Sequence, residues 1–146
     1  MDAQLMTDDD VRSLLADAKV IAVVGASSKP HRPSFGVAAY LQANGYRIVP
    51  VNPNESEVFG EPAYATLLDI PSEVHVDVVD VFRRSEHTPE VARQAVQIGA
   101  RALWLQEGVW SEEAAAIAKA GGLDVIMDAC IKKVRHRLAI EQGDER

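Results

Sequence analysis

Apolar positions along this chain follow two alternating periods. Short, mostly apolar runs at Val20–Val24, Arg47–Val51, 76–82, 101–105 and 123–127 predict strands covered on both faces. Between them, apolar residues recur at helical spacing. Val11, Leu14, Leu15 and Ala18 share one face of a lead-in helix within 7–18, which opens on the Thr7/Asp10 pairing of a capping signature. Val37, Ala38 and Leu41 line the next helix, with Ser34 as its expected N-cap and Asn44-Gly45 as its stop. Thr88-Pro89-Glu90 opens a third helix, closed by Gly99. Ser111-Glu112-Glu113-Ala114 starts an alanine-rich fourth that ends at Gly121-Gly122, and 131–140 predicts a fifth. The stretch 55–71 has neither period and reads as irregular, with a short helical turn near 66–69; 143–146 reads as a frayed tail.

Strands alternating with helices imply one α/β domain over 1–146: a doubly wound parallel five-stranded sheet in three layers. Ligands of such sheets bind beyond the carboxyl ends of the strands. A formal charge of -7 argues against a nucleic-acid binder. The polar, acidic start is not a signal peptide, and no apolar run is long enough to span a bilayer, so a cytoplasmic location is expected. The lone Cys130 excludes an internal disulfide, and the four histidines lack ligand spacing, so no metal site is expected.

The loops after the strands carry the candidate chemistry. In the first, Gly25, Ala26, Ser27 and Ser28 are followed by Lys29, Arg32 and Ser34. Small residues, hydroxyls and cations running into a helix start suit a diphosphate; the competing reading is a plain turn. The next glycine is Gly36, so the Gly-x-Gly-x-x-Gly fingerprint of dinucleotide folds is absent. In the second loop, Asn52 stands between Pro50-Val51 and Pro53, where NAD enzymes place an acid. That neutral rim suits a ribose bearing a 3′-phosphate or an adenine edge, or is a turn without a ligand. The third loop, Phe82-Arg83-Arg84, offers stacking and phosphate contacts, and strand alternation turns one of the two arginines to the cleft; otherwise both are surface charges. In the fourth, Gln106, Glu107 and Gly108 can meet a polar ligand arm, with Glu107 as a possible acid or base or simply a loop cap. Cys130, near Lys132, Lys133 and Arg135, is either a reactive thiol or a small buried apolar residue. These residues leave open an NAD(P)-linked oxidoreductase, a thiol or redox protein acting through Cys130, and a subunit that serves a separate partner.

Taken in series, Val24-Gly25-Ala26-Ser27, Pro30-His31-Arg32-Pro33-Ser34, Gly45-Tyr46, Pro50-Val51-Asn52-Pro53, Asp80-Val81-Phe82-Arg83 and Trp104-Leu105-Gln106-Glu107-Gly108 resemble the small stand-alone coenzyme-A-binding proteins of bacteria. These are similar to the amino-terminal domain of the succinyl-CoA synthetase alpha subunit. The resemblance implies a Rossmann-like sheet of strand order 3-2-1-4-5 holding coenzyme A or an acyl-CoA. It places Gly25, Ala26, Ser27 and Ser28 at the diphosphate, with Lys29, Arg32 and Ser34 in support. Val51, Asn52 and Pro53 border the adenosine, Phe82 and Arg83 line the middle, and Gln106, Glu107 and Gly108 meet the pantetheine. It implies a small-molecule nucleotide ligand and no synthetase activity, since the phosphohistidine and ATP-grasp machinery belong to other domains. A protein partner or a homo-oligomer stays open.

Overall fold

Thr7 opens the first helix: its hydroxyl accepts the Asp10 amide while the Asp10 carboxylate accepts the Thr7 amide, each at 3.0 Å. This computed structural model describes residues 6–140, so the expected tail at 143–146 lies outside the described residues. α1 (Asp8–Asp17) leads into β1 (Val20–Val24), α2 (Pro33–Ala43) and β2 (Arg47–Val51). A small antiparallel hairpin follows, β3 (Glu57–Val58) and β4 (Glu61–Pro62), then a 3-10 turn at Leu67–Asp69. The remaining elements are β5 (Val78–Val81), a second 3-10 turn at Ser85–His87, α3 (Thr88–Gln97), β6 (Ala102–Leu105), α4 (Glu112–Ala120), β7 (Asp124–Ile126) and α5 (Ile131–Arg137).

The five long-range strands form one parallel sheet in the order β2-β1-β5-β6-β7. Counted along this sheet that is 2-1-3-4-5, which corrects the expected 3-2-1-4-5. Two sets of contacts between distant segments fit this order. The outer edge of β2 is already covered: the Tyr64 amide donates to Pro50 O at 3.0 Å, and the Asn52 amide donates to Tyr64 O at 2.8 Å. Meanwhile the Asp77 carboxylate accepts the Lys19 and Val20 amides at 2.8 and 2.9 Å, which delivers β5 to the free side of β1.

Helices cover both faces, giving the three layers expected. On one side, Leu14, Leu15, Val37, Leu41 and Ile131 pack on Ile21, Ile48, Val78 and Trp104. On the other, Val91, Ala92, Ala95, Ala114 and Ala118 pack on Ala22, Val49, Val79 and Leu103. Full burial of each such Leu, Ile or Val stabilises the fold by about 1.5–3 kcal/mol. α2 is apolar on more than its sheet side because Phe35 stacks on Phe59 of the hairpin, with ring centroids 4.8 Å apart.

Several local expectations change. The N-cap of α2 is Arg32, with Pro33 in the first turn, and Ser34 lies one step inside, its hydroxyl donating to Gly25 O at 3.2 Å. The strand expected over 76–82 narrows to Val78–Val81 because Asp77 is turned to β1's amides. The last helix stops at Arg137, short of 140, and Ala139 turns left-handed at φ 55.

Candidate functional site

In the 2-1-3-4-5 order, strand succession reverses between β1 and β5, so the crevice opens where Gly25 follows the end of β1 and Phe82 follows the end of β5. The two ends touch. The Phe82 amide donates to Val24 O at 2.8 Å, and a Cβ on Gly25 would sit 3.0 Å from Phe82 O. Gly25 holds φ +91, a conformation that other residues rarely adopt. Here glycine serves both the bend and the close approach.

Three adjoining clefts share Arg83 along this edge. The largest, about 450 Å3, is lined by Gly25, Arg32, Ser34, Val37, Phe82, Arg83, Arg84, Gln106, Glu107, Val109 and Cys130. A second, about 260 Å3, lies between Gly25, Val51, Asn52, Pro53, Asn54, Ala65 and Arg83. A third, about 280 Å3, continues past Val24 and Val51 to Thr66, Arg83, His87, Arg93 and Gln94. Both arginines after β5 border the crevice, whereas alternation predicted one. The strand ends at Val81, so its two-residue period no longer governs Arg83 and Arg84.

Not every expected residue lines a cleft. Ala26 and Ser27 are buried beneath the first loop; the Ser27 hydroxyl accepts the Lys29 amide at 3.0 Å. Ser28 is turned to Glu55, which accepts both its amide and its hydroxyl. The Asn52 side chain donates to Ala26 O at 2.7 Å, which ties the second loop to the first. Gln106 is buried, and its Oε1 accepts the Ile131 amide at the start of α5. Glu107 pairs with Lys133 at 3.1 Å, and the Gly108 amide is held by Asp128 at 2.8 Å. Lys133, Lys132 and Arg135 are engaged away from Cys130: by Glu107, by the Tyr40 ring, and by the Tyr40 and Tyr46 hydroxyls. Cys130 itself is buried, packing into the core while also forming part of the wall of the largest cleft.

Sequence reasoning missed Glu55, Asp128 and Asp80. Asp128 had a signal, since it directly follows the strand expected over 123–127. Asp80 sits within β5 between Val23 and Trp104, fully buried, with no hydrogen-bond partner for either carboxylate oxygen among the described residues. Burial pushes its carboxyl well above the usual carboxylate range.

Two features of the crevice favour an anion. The amides of Ala26 and Ser27 make no hydrogen bond to another described residue. Among those residues, the lysines and arginines without an acid, hydroxyl or ring partner are Lys19, Lys29, Arg32, Arg83, Arg84 and Lys119. Of these, Arg32, Arg83 and Arg84 line the largest cleft and Lys29 stands on its first loop. Among the described residues no group of three or more His, Cys, Asp or Glu is placed to hold a metal, and no helix is long and apolar enough to cross a membrane.

This geometry defines a Rossmann-like α/β protein of the kind that holds its ligand at the strand ends. The chain belongs to the CoA binding domain family, which it matches over residues 19–136. It is 42% identical over 123 residues to the uncharacterized protein YneT of Bacillus subtilis, covering 84% of this chain and 90% of that one. It is 34% identical over 109 residues to the ADP-forming acetate–CoA ligase II of Archaeoglobus fulgidus, covering 73% of this chain but 16% of the ligase. A solved structure, a hypothetical protein from Pyrococcus horikoshii OT3, superposes with a TM-score of 0.88 at 39% identity, covering 92% and 93% of the two chains.

Proposed function

We propose that the crevice binds coenzyme A or an acyl-CoA, and that the protein's role is recognition rather than turnover. The observation that carries this is the clustering of unpartnered cations at one strand-end crevice of a chain with net charge -7. The ligand's diphosphate lies against the first loop, where the Ala26 and Ser27 amides are free to donate and Lys29 and Arg32 neutralise charge. Ser34 supports that loop from below by holding Gly25 O. Val51, Asn52 and Pro53 wall the adenosine side, and Phe82 and Arg83 form the middle. The pantetheine runs along the largest cleft past Val37, Val109 and Gln106, with Glu107 at its rim and Gly108 shaping the loop behind it. Membership of the CoA binding domain family supports the ligand class. The CoA ligase activity of the Archaeoglobus relative belongs to a protein of which this chain spans 16%.

Calorimetric titration tests the reading. The protein should bind CoA in preference to NADH. The S27A/R32A variant should bind CoA about tenfold or more weakly, because a charge-assisted phosphate contact contributes about 1.5–3 kcal/mol. Equal affinity in variant and parent removes the first loop from the site.

A further inference from the structure

The polar groups of the first loop are disposed unevenly. Gly25 and Ala26 carbonyls are held by Ser34 and Asn52, the Ser27 hydroxyl holds the Lys29 amide, and the amides of Ala26 and Ser27 remain free. Ser28 differs. Its amide donates to Glu55 Oε2 at 2.9 Å, and its hydroxyl lies 3.0 and 3.1 Å from the two carboxylate oxygens. Glu55 is brought there by the turn after β2, where the Glu55 amide donates to Asn52 O and the Asn54 amide to Asn52 Oδ1. A carboxylate of the chain therefore occupies donors that directly continue the row of free amides.

A carboxylate and one edge of a phosphate present the same pair of acceptor oxygens to an N–H and O–H fork. Two anions sharing the same donors repel, so the Ser28 fork can serve Glu55 or a ligand phosphate but not both. We propose that Glu55 is an internal competitor for the phosphate position on this loop. Ligand uptake then exchanges the Glu55 carboxylate for a phosphate of the ligand's diphosphate group and releases Glu55 and its neighbours 54–56 from Ser28. The proposal rests on the reading that the first loop holds a phosphorylated ligand. It makes Glu55 a determinant of affinity, and makes the turn after β2 the part of the surface that differs between free and loaded protein.

The test is titration of CoA and of inorganic pyrophosphate into the parent, E55Q, S28A and S28A/E55Q, with E57Q as a control for net charge. Thermal melts confirm that each variant is folded. E55Q should bind both probes about three- to tenfold more tightly, the range expected for loss of one exposed charge-assisted competitor. E57Q should stay within about twofold of the parent, and the gain from E55Q should shrink in the S28A background. In hydrogen exchange, segment 54–56 of the parent should lose protection when CoA is added. An E55Q affinity that is unchanged or weaker overturns the proposal and makes Glu55 a brace for the loop. A folded parent that takes up no CoA at millimolar concentration instead overturns the underlying reading, and the competitor with it.

Discussion

Replacing Asp80 by Asn should stabilise this protein, and by an amount that grows with pH. Asp80 is fully buried in β5, next to Val23 and Trp104, and neither carboxylate oxygen has a partner among the described residues. Its carboxyl is therefore held neutral well above the ordinary value of 3.8. In the unfolded chain the same group ionises near its ordinary value. Between the two pKa values the unfolded state has lost a proton that the native state keeps, so stability falls as pH rises, by about 1.4 kcal/mol per pH unit. Asn has nearly the same shape and cannot ionise, so D80N lacks this slope. The carboxylates of Asp8 and Glu90, which arginine partners hold below their usual range, act in the opposite sense but are common to both proteins and cancel in the difference. Urea denaturation from pH 4 to 8, followed by tryptophan fluorescence, reads the difference directly. D80N and the parent should converge near pH 4 and separate steadily above it. Parallel profiles, offset by a constant, would show that the native state ionises Asp80 as readily as the unfolded chain does, and the argument from burial would be wrong.

Two further outcomes follow from single contacts. G25A adds a Cβ 3.0 Å from Phe82 O at φ +91, so it should lower the unfolding free energy by about 2–3 kcal/mol and weaken CoA binding; a urea midpoint equal to the parent's would contradict the close approach. Y46F removes a hydroxyl that donates to Leu15 O at 2.6 Å and accepts Arg135 Nε at 3.1 Å. With a buried guanidinium and a carbonyl left short of a partner, it should cost about 1–3 kcal/mol in thermal or urea unfolding, and a change under half a kcal/mol would mean the hydroxyl is not needed there.

What could be read from the sequence divides by range. β1 and β2 are found at their predicted ends because both are apolar runs closed by turn residues, and α4 is capped at Ser111 because its hydroxyl takes the Ala114 amide three residues on. The β3–β4 hairpin was invisible. Two-residue strands have no period, and its tip places Phe59, not a usual turn residue, at φ 55. Strand order depended on Tyr64 covering the edge of β2 and on Asp77 reaching β1, contacts that local pattern does not encode. In the same way the first loop reads locally as a candidate phosphate site, yet Glu55 on Ser28 and Asn52 on Ala26 join residues more than twenty apart. Asp80 reads as one letter of a motif, and only the packed sheet shows it as a buried acid.

Those long-range bonds bear on affinity as well as on fold. Asn52 holds Ala26, Gln106 holds Ile131, Asp128 holds Gly108, and the Ser85 hydroxyl accepts the Trp110 amide. Each crosses between neighbouring segments at the carboxyl end of the sheet, so the cleft walls are ordered by the fold before a ligand arrives. Ordering a loop on binding weakens affinity, and that penalty falls when the protein has already ordered it. The cations Lys29, Arg32, Arg83 and Arg84 take no part in this bracing. Amides and side chains that could rigidify the rim are used for that purpose, while the groups suited to a phosphorylated ligand are left without protein partners. Ser28 is the exception, since the Glu55 carboxylate takes both its amide and its hydroxyl, and on the proposed reading that contact sets how tightly the crevice holds its ligand.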